Sequence, residues 1–284
     1  MKTLKTREKV ILALYCFAIT IGVMAQGPKI ANTTSGQIDE PKEALKKEVE
    51  TIIASYVEDY TSDRHAAEKR IVGITVPEID REWTVTVTGK EITDKKWEVL
   101  LTEGLPNIPT YVYRAEVSAL KAIYSGEMNA LTAQAKAFST DYAPLDVEEI
   151  NGYQPTEEED GALNAFSFHF WTKGFPEVIP FRPDATRRAH GGGATIFYYE
   201  KGLRTLWYNI SPGERVREDA REQAMPFPMM GVLIKGTAKG IVDGEPITVS
   251  EGNTVFVPAN VHHKWWNESD ENVELILIMF GEGA

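Results

Sequence analysis

The sequence predicts an α+β half followed by an all-β half. Three observations carry this. Apolar residues at helical spacing between Leu45 and Tyr60 give way to alternating strands. A Pro-, Gly- and acid-rich stretch from Asp141 to Leu163 interrupts the pattern. Beyond it, short β-branched and aromatic runs follow one another with turn residues between them and no long helix.

The chain opens with the pattern of a secretory signal. Lys2, Lys5, Arg7 and Lys9 form a basic start, and Val10 to Met24 is apolar but short for a membrane span. Val23-Met24-Ala25 is a small-residue cleavage site, so residues 1–25 are expected to be removed, leaving Gln26 first and no stable membrane span. A periplasmic or secreted location follows. Cys16 is the only cysteine and sits in the leader beside Tyr15 and Phe17, which disfavours a lipoprotein site. The mature chain therefore has neither a disulfide nor thiol chemistry. The formal net charge is −12, and the pI is near 5.0. That balance excludes the basic stripe a nucleic-acid partner requires.

Residues 26–38 read as a mobile lead-in. A helix is expected from Pro41, with Leu45, Val49, Ile52, Ile53, Tyr56, Val57 and Tyr60 on one face. Trp83 to Thr88, Trp97 to Leu101 and Thr110 to Ala115 read as strands. Leu120, Ile123 and Tyr124 then mark a short helix closed by Gly126, and Asn129 is placed to cap another.

This order is similar to the sterol carrier protein type 2 domain over residues 42–150. The likeness rests on Trp97-Glu98-Val99-Leu100-Leu101, on Tyr111 to Ala115 running into a helix, and on Leu120-x-x-Ile123-x-x-Gly126-Glu127-Met128-Asn129-Ala130. It implies a curved sheet and helices enclosing an apolar tunnel for a lipid tail. A small α+β domain with a filled core fits the same composition.

Glu157 to Asp160 form an acidic run, read as solvated, so residues 151–180 are expected to be a linker with an aromatic packing segment, Phe166 to Gly174. Residues 181–284 form the second domain. Gly191 to Gly193 are read as a flexible lead into it, because no strand-to-helix context supports a phosphate loop. Strands are expected at 195–199, 203–210, 230–235, 239–242, 247–249, 254–257, 262–267 and 273–280, with Asp243-Gly244 a hairpin turn.

The stretch Gly252 to Asn267 resembles the second motif of the cupin superfamily. Gly252, Pro258, His263 and Asn267 match, and Asn260 stands where the motif has a second glycine; Asn also tolerates positive φ. The resemblance implies an all-β cupin jelly-roll barrel with His263 pointing into its mouth. A metal cupin supplies two further histidines and a glutamate from its first motif. Counting back from Gly236, those positions hold Gln223, Met225 and Met229; counting forward from Gly213, they hold Asp219, Arg221 and Met225. No histidine lies between His190 and His262, so no metal and no other cofactor is expected. The ligand-binding residues at the mouth would be His263, Trp265, Asn267, Met225 and Met229, with His263 titrating as an ordinary imidazole.

Three readings follow: an exported non-enzymatic protein binding a small organic or lipid-like ligand; a cupin-type dioxygenase, isomerase or lyase using His263 with Glu214, Glu218 or Asp219; or an assembly role, with a homodimer formed through the cupin sheets.

Overall fold

The computed structural model describes residues 40–173, 177–222 and 224–284. The expected signal peptide, the lead-in and Gln223 lie outside them. Residues 39–284 form one compact unit. Among the described residues no helix is long and apolar enough to cross a membrane.

Helix α1, Glu40–Tyr60, buries Val49, Ile52, Ile53, Tyr56, Val57 and Tyr60, the stripe its periodicity marks. Strands β1 (Arg70–Val76), β2 (Arg81–Thr93), β3 (Lys96–Glu103), β4 (Thr110–Ala115) and β5 (Leu145–Ile150) form a sheet of order β3-β2-β1-β4-β5. The β1–β4 pair is parallel and the others are antiparallel. Helix α2, Val117–Ser125, ends on Gly126 at φ 77°, the left-handed stop expected of it. The Asn129 side chain accepts from the Thr132 amide and starts the short helix α3, Ala130–Gln134.

The expected linker is not one. β5 falls within the Pro-, Gly- and acid-rich stretch Asp141 to Leu163, and Glu157–Phe170, inside the expected linker, form helix α4. Thr156 and Glu159 make a reciprocal capping box, so the acidic run sits at a helix N-terminus, where the macrodipole favours carboxylates. α4 drives Leu163, Phe166 and Phe170, followed by Trp171, into the core of the first half.

The tunnel implied by the sterol-carrier resemblance is also corrected. The space between α1, α4 and the sheet is occupied by side chains. Tyr56, Tyr113, Phe170 and Trp171 are essentially inaccessible. Trp171 meets Tyr56 and Tyr113 edge-on, at centroid distances of 5.2 and 5.6 Å.

The second half consists of strands β6 (Arg187–Ala189), β7 (Gly192–Glu200), β8 (Leu203–Ile210), β9 (Arg215–Val216), β10 (Met229–Lys235), β11 (Thr237–Val242), β12 (Glu245–Ser250), β13 (Thr254–Val257), β14 (His263–Trp266) and β15 (Val273–Phe280). They form two sheets, β13-β10-β15-β8-β7-β6 and β12-β11-β14-β9. Asp243 and Gly244, at φ 53° and 82°, make the two-residue turn between β11 and β12. The triple glycine is not a flexible lead. Gly192 and Gly193 are strand residues, and Gly193 N–H donates to Asn209 Oδ1 at 3.1 Å. A Cβ on Gly192 would stand 2.6 Å from the Asn209 carbonyl oxygen, so close strand approach, not mobility, selects glycine there.

One seam between the two halves lies in β7, where its register against β8 shifts between Ile196 and Tyr198. Ile196 N–H donates to Thr132 Oγ1 at 2.9 Å, and its carbonyl accepts from Asn129 Nδ2 at 2.8 Å. The start of α3 thus satisfies both backbone groups of Ile196. Phe168 of α4 adds an edge-on contact with Tyr198, 4.9 Å between centroids.

Candidate binding site

Strand alternation in the second half sends one face of each strand inward. Leu206, Tyr208 and Ile210 of β8, Leu275, Leu277 and Met279 of β15, and Met229, Gly231 and Leu233 of β10 all line a single cavity of about 450 Å3. Val255 and Val257 of β13, Ala238 of β11 and Trp265 of β14 continue the wall. A cavity of roughly 300–1,000 Å3 is the size that takes a small organic ligand.

The wall is not the work of the barrel strands alone. Leu131, Gln134 and Ala135 of α3 and Leu163 and Asn164 of α4 also face the cavity. Gln134 Nε2 is buried with no hydrogen-bond partner in the protein. It is a donor in a largely aliphatic surround, so an acceptor on a ligand would satisfy it. Lys136, which pairs with Asp146 at 2.6 Å, and His190, in the φ-positive turn between β6 and β7, complete the polar part of the wall together with Arg204 and Arg217.

Three of the five residues expected at the site line this cavity: Met225, Met229 and Trp265. Gly240, directly opposite Trp265, makes room for the indole, since a Cβ there would come within 2.5 Å of the ring. The backward count places its methionines on the cavity. The forward count lands on Asp219 and Arg221, which bind each other in an exposed loop.

The other two residues are placed differently. Asn267 is 1% exposed and its side chain is fully engaged. Nδ2 donates to the carbonyls of Ile210 (2.9 Å) and Glu271 (2.7 Å), and Oδ1 accepts from the amide and hydroxyl of Ser269. It is a turn staple with nothing left for a ligand. His263 is 3% exposed and is not among the residues lining the cavity. Its Nδ1 bonds the Val261 carbonyl at 2.9 Å, while Nε2 is buried without a partner. Burial pushes its pKa down to about 4, although the Val261 carbonyl favours the protonated ring. The expected ordinary imidazole is therefore a neutral, buried one.

Among the described residues, the three carboxylates that could have partnered it have other cations beside them. Glu214 is taken by Arg188 and the Ser211 amide, Glu218 faces Arg215 at 3.8 Å, and Asp219 holds Arg221. Nor do the residues present fit the metal of a metal cupin. By the backward count an amide and two thioethers stand where two imidazoles and a carboxylate are needed, and thioethers are poor ligands for Zn, Mn or Fe(II). Among the described residues, the group of three His, Asp or Glu side chains within reach of one ion lies elsewhere, at Asp63, His65 and His169.

Residues 206–279 match the family described as Cupin domain, and this region has the cupin fold. Similar solved structures include a cupin 2 conserved barrel domain protein from Salinispora arenicola (17% identity, 37% of this chain and 89% of that one, TM-score 0.33). Another is an RmlC-like cupin family protein with a double-stranded β-helix fold from Methanocaldococcus jannaschii (20% identity, 38% and 93%, TM-score 0.30). A third is the cupin domain of Schizosaccharomyces pombe Cnp3 (10% identity, 38% and 80%, TM-score 0.31). No curated protein matches the chain. The chain thus carries a cupin domain behind an α+β region.

Proposed function

We propose that this protein is an exported, non-enzymatic binding protein that holds a small, largely apolar molecule in its cupin half. The observation that carries the reading is the cavity of about 450 Å3, walled by aliphatic, thioether and aromatic side chains. An apolar body would displace poorly held water from that wall, and burial would supply most of the affinity. Gln134 Nε2 would orient one hydrogen-bond acceptor on the ligand. Because α3 and α4 form part of the wall, the first half serves the site as a lid and is not a second binding module. The lipid-like ligand of the sequence reading moves with it, from the filled first core to the barrel.

The test is binding by the mature chain. Native mass spectrometry of gently purified protein should show a bound small organic molecule, or the stripped protein should take up one equivalent of 1-anilinonaphthalene-8-sulfonate. Absence of both would remove the reading. One equivalent of metal that is lost in His263→Ala would favour a cupin enzyme instead. N-terminal sequencing of the native product, expected to begin at Gln26, tests export.

A further inference from the structure

The loop after α1 and the C-terminal turn of α4 bring together side chains that lie far apart in sequence. Asp63 Oδ2 and His169 Nδ1 are 2.9 Å apart. The His65 ring stacks on that of His169, 3.8 Å between centroids and 24° between planes. One donor atom from each of the three lies within 4.8 Å of the others. We propose that Asp63, His65 and His169 bind a divalent first-row transition ion of the Zn2+ type.

Three observations support the site. The Nε2 atoms of both histidines are buried and have no partner, and the His169 side chain is only 9% exposed. Such orphaned ring nitrogens are costly unless something binds them. Second, a nitrogen of each histidine and an oxygen of Asp63 already fall within 4.8 Å of one another, so a small shift of the half-buried His65 ring would close them on one ion.

Third, Asp63 is already fixed. Its Oδ1 caps the short turn Arg64–Ala67 by accepting the His65 amide at 2.7 Å, and its Oδ2 orients the His169 ring. An ion that took the place of the proton between Asp63 Oδ2 and His169 Nδ1, 2.9 Å apart, would be held by both atoms, with His65 as the third donor. Two imidazoles and a carboxylate form a mixed N/O set suited to Zn2+ and its neighbours and not to Ca2+ or Mg2+.

Tyr198 of β7 stands edge-on to His169, 6.4 Å between centroids, so the ion would sit beside the seam between the halves. It would tie the α1 end to α4 and act on stability.

The test uses the mature chain stripped with a chelator and titrated with Co2+ and then Zn2+. Co2+ should give visible d–d absorption at one equivalent, Zn2+ should displace it, and the unfolding midpoint should rise with metal. His65→Ala and His169→Ala should each weaken binding by roughly 100-fold or more, and Asp63→Asn by about 10–100-fold. His65→Gln, which keeps a polar side chain of similar reach, covers the case in which an alanine variant fails to fold. X-ray absorption at the zinc edge of the wild-type complex should report two imidazole donors. A Co2+ spectrum indistinguishable from that of the aqueous ion would overturn the site. So would undiminished binding in His65→Gln, or a zinc shell without imidazole. None of these readouts involves the barrel cavity, so failure here leaves the ligand-binding reading separately testable.

Discussion

Asn267 donates its amide to the Ile210 carbonyl across 57 residues of sequence, joining the exit of β14 to the end of β8. The same amide holds Glu271, and its oxygen holds Ser269. Asn267→Ala would leave the buried Ile210 carbonyl without this partner, while the Glu271 carbonyl and Ser269 amide, on exposed residues, can turn to water. It should cost about 1–3 kcal/mol, the range for a buried group left unpaired. Asn267→Asp should be no better, because a carboxylate oxygen would face two carbonyls. Urea unfolding of the three proteins checks this; a loss under about 0.5 kcal/mol would contradict it.

His263 makes stability depend on pH. Its folded pKa, about 4, lies below the ordinary 6.5, so the unfolded chain binds the proton more tightly. The contribution is fully present above pH 6.5, declines as the pH falls through the window from 6.5 to 4, and is lost below it. It amounts to on the order of 2–3 kcal/mol. His263→Gln should flatten that part of the stability–pH curve, read as unfolding midpoints between pH 4 and 7. An unchanged slope would place the titrating group elsewhere.

Ala238 lines the cavity from β11 and is 3% exposed. Ala238→Phe should fold, with a change in stability within about 1–3 kcal/mol, because the ring points into open space. It should also abolish uptake of the fluorescent probe. Retained one-to-one binding would mean the probe sits on another surface.

Asn129→Ala removes a helix cap and strands the Ile196 carbonyl at the seam. The expected cost is about 2–3 kcal/mol. Wild-type protein should unfold in a single calorimetric transition, since both halves share the seam and the cavity wall. Two well-separated transitions in the wild type would show that the seam does not couple them.

Much of the second half was legible in the sequence because it rests on local signals. Alternation from Leu206 to Ile210 and from Val273 to Met279, with turn residues such as Asp243-Gly244 between strands, marks the strands and their inward faces. What stayed hidden depends on long-range packing. β1 carries an apolar run too short to distinguish, and only its pairing with β2 and β4 makes it central. The run Glu157 to Asp160 looks like a solvated linker until Thr156 is seen to cap it. Of His263, Trp265 and Asn267, expected together at the mouth, only Trp265 lines the cavity: β14 ends at Trp266, so Asn267 belongs to the following loop, and His263 is held to the Val261 carbonyl. Asp63 and His169 are 106 residues apart, and no spacing rule links them.

The bonds to Ile196 also set an order of events. Thr132 and Asn129 precede Ile196 by 64 and 67 residues, so α3 emerges first, whether from the ribosome or from an export channel. The strand that follows meets a template already waiting for its irregular backbone. In the reverse order β7 would display an unpaired amide and carbonyl at its bulge, an invitation to pair with another chain. A circularly permuted chain that begins at residue 181 keeps every native contact but inverts that sequence. It should reach the same final stability more slowly and with more aggregate, which would identify chain direction as part of how this fold protects itself.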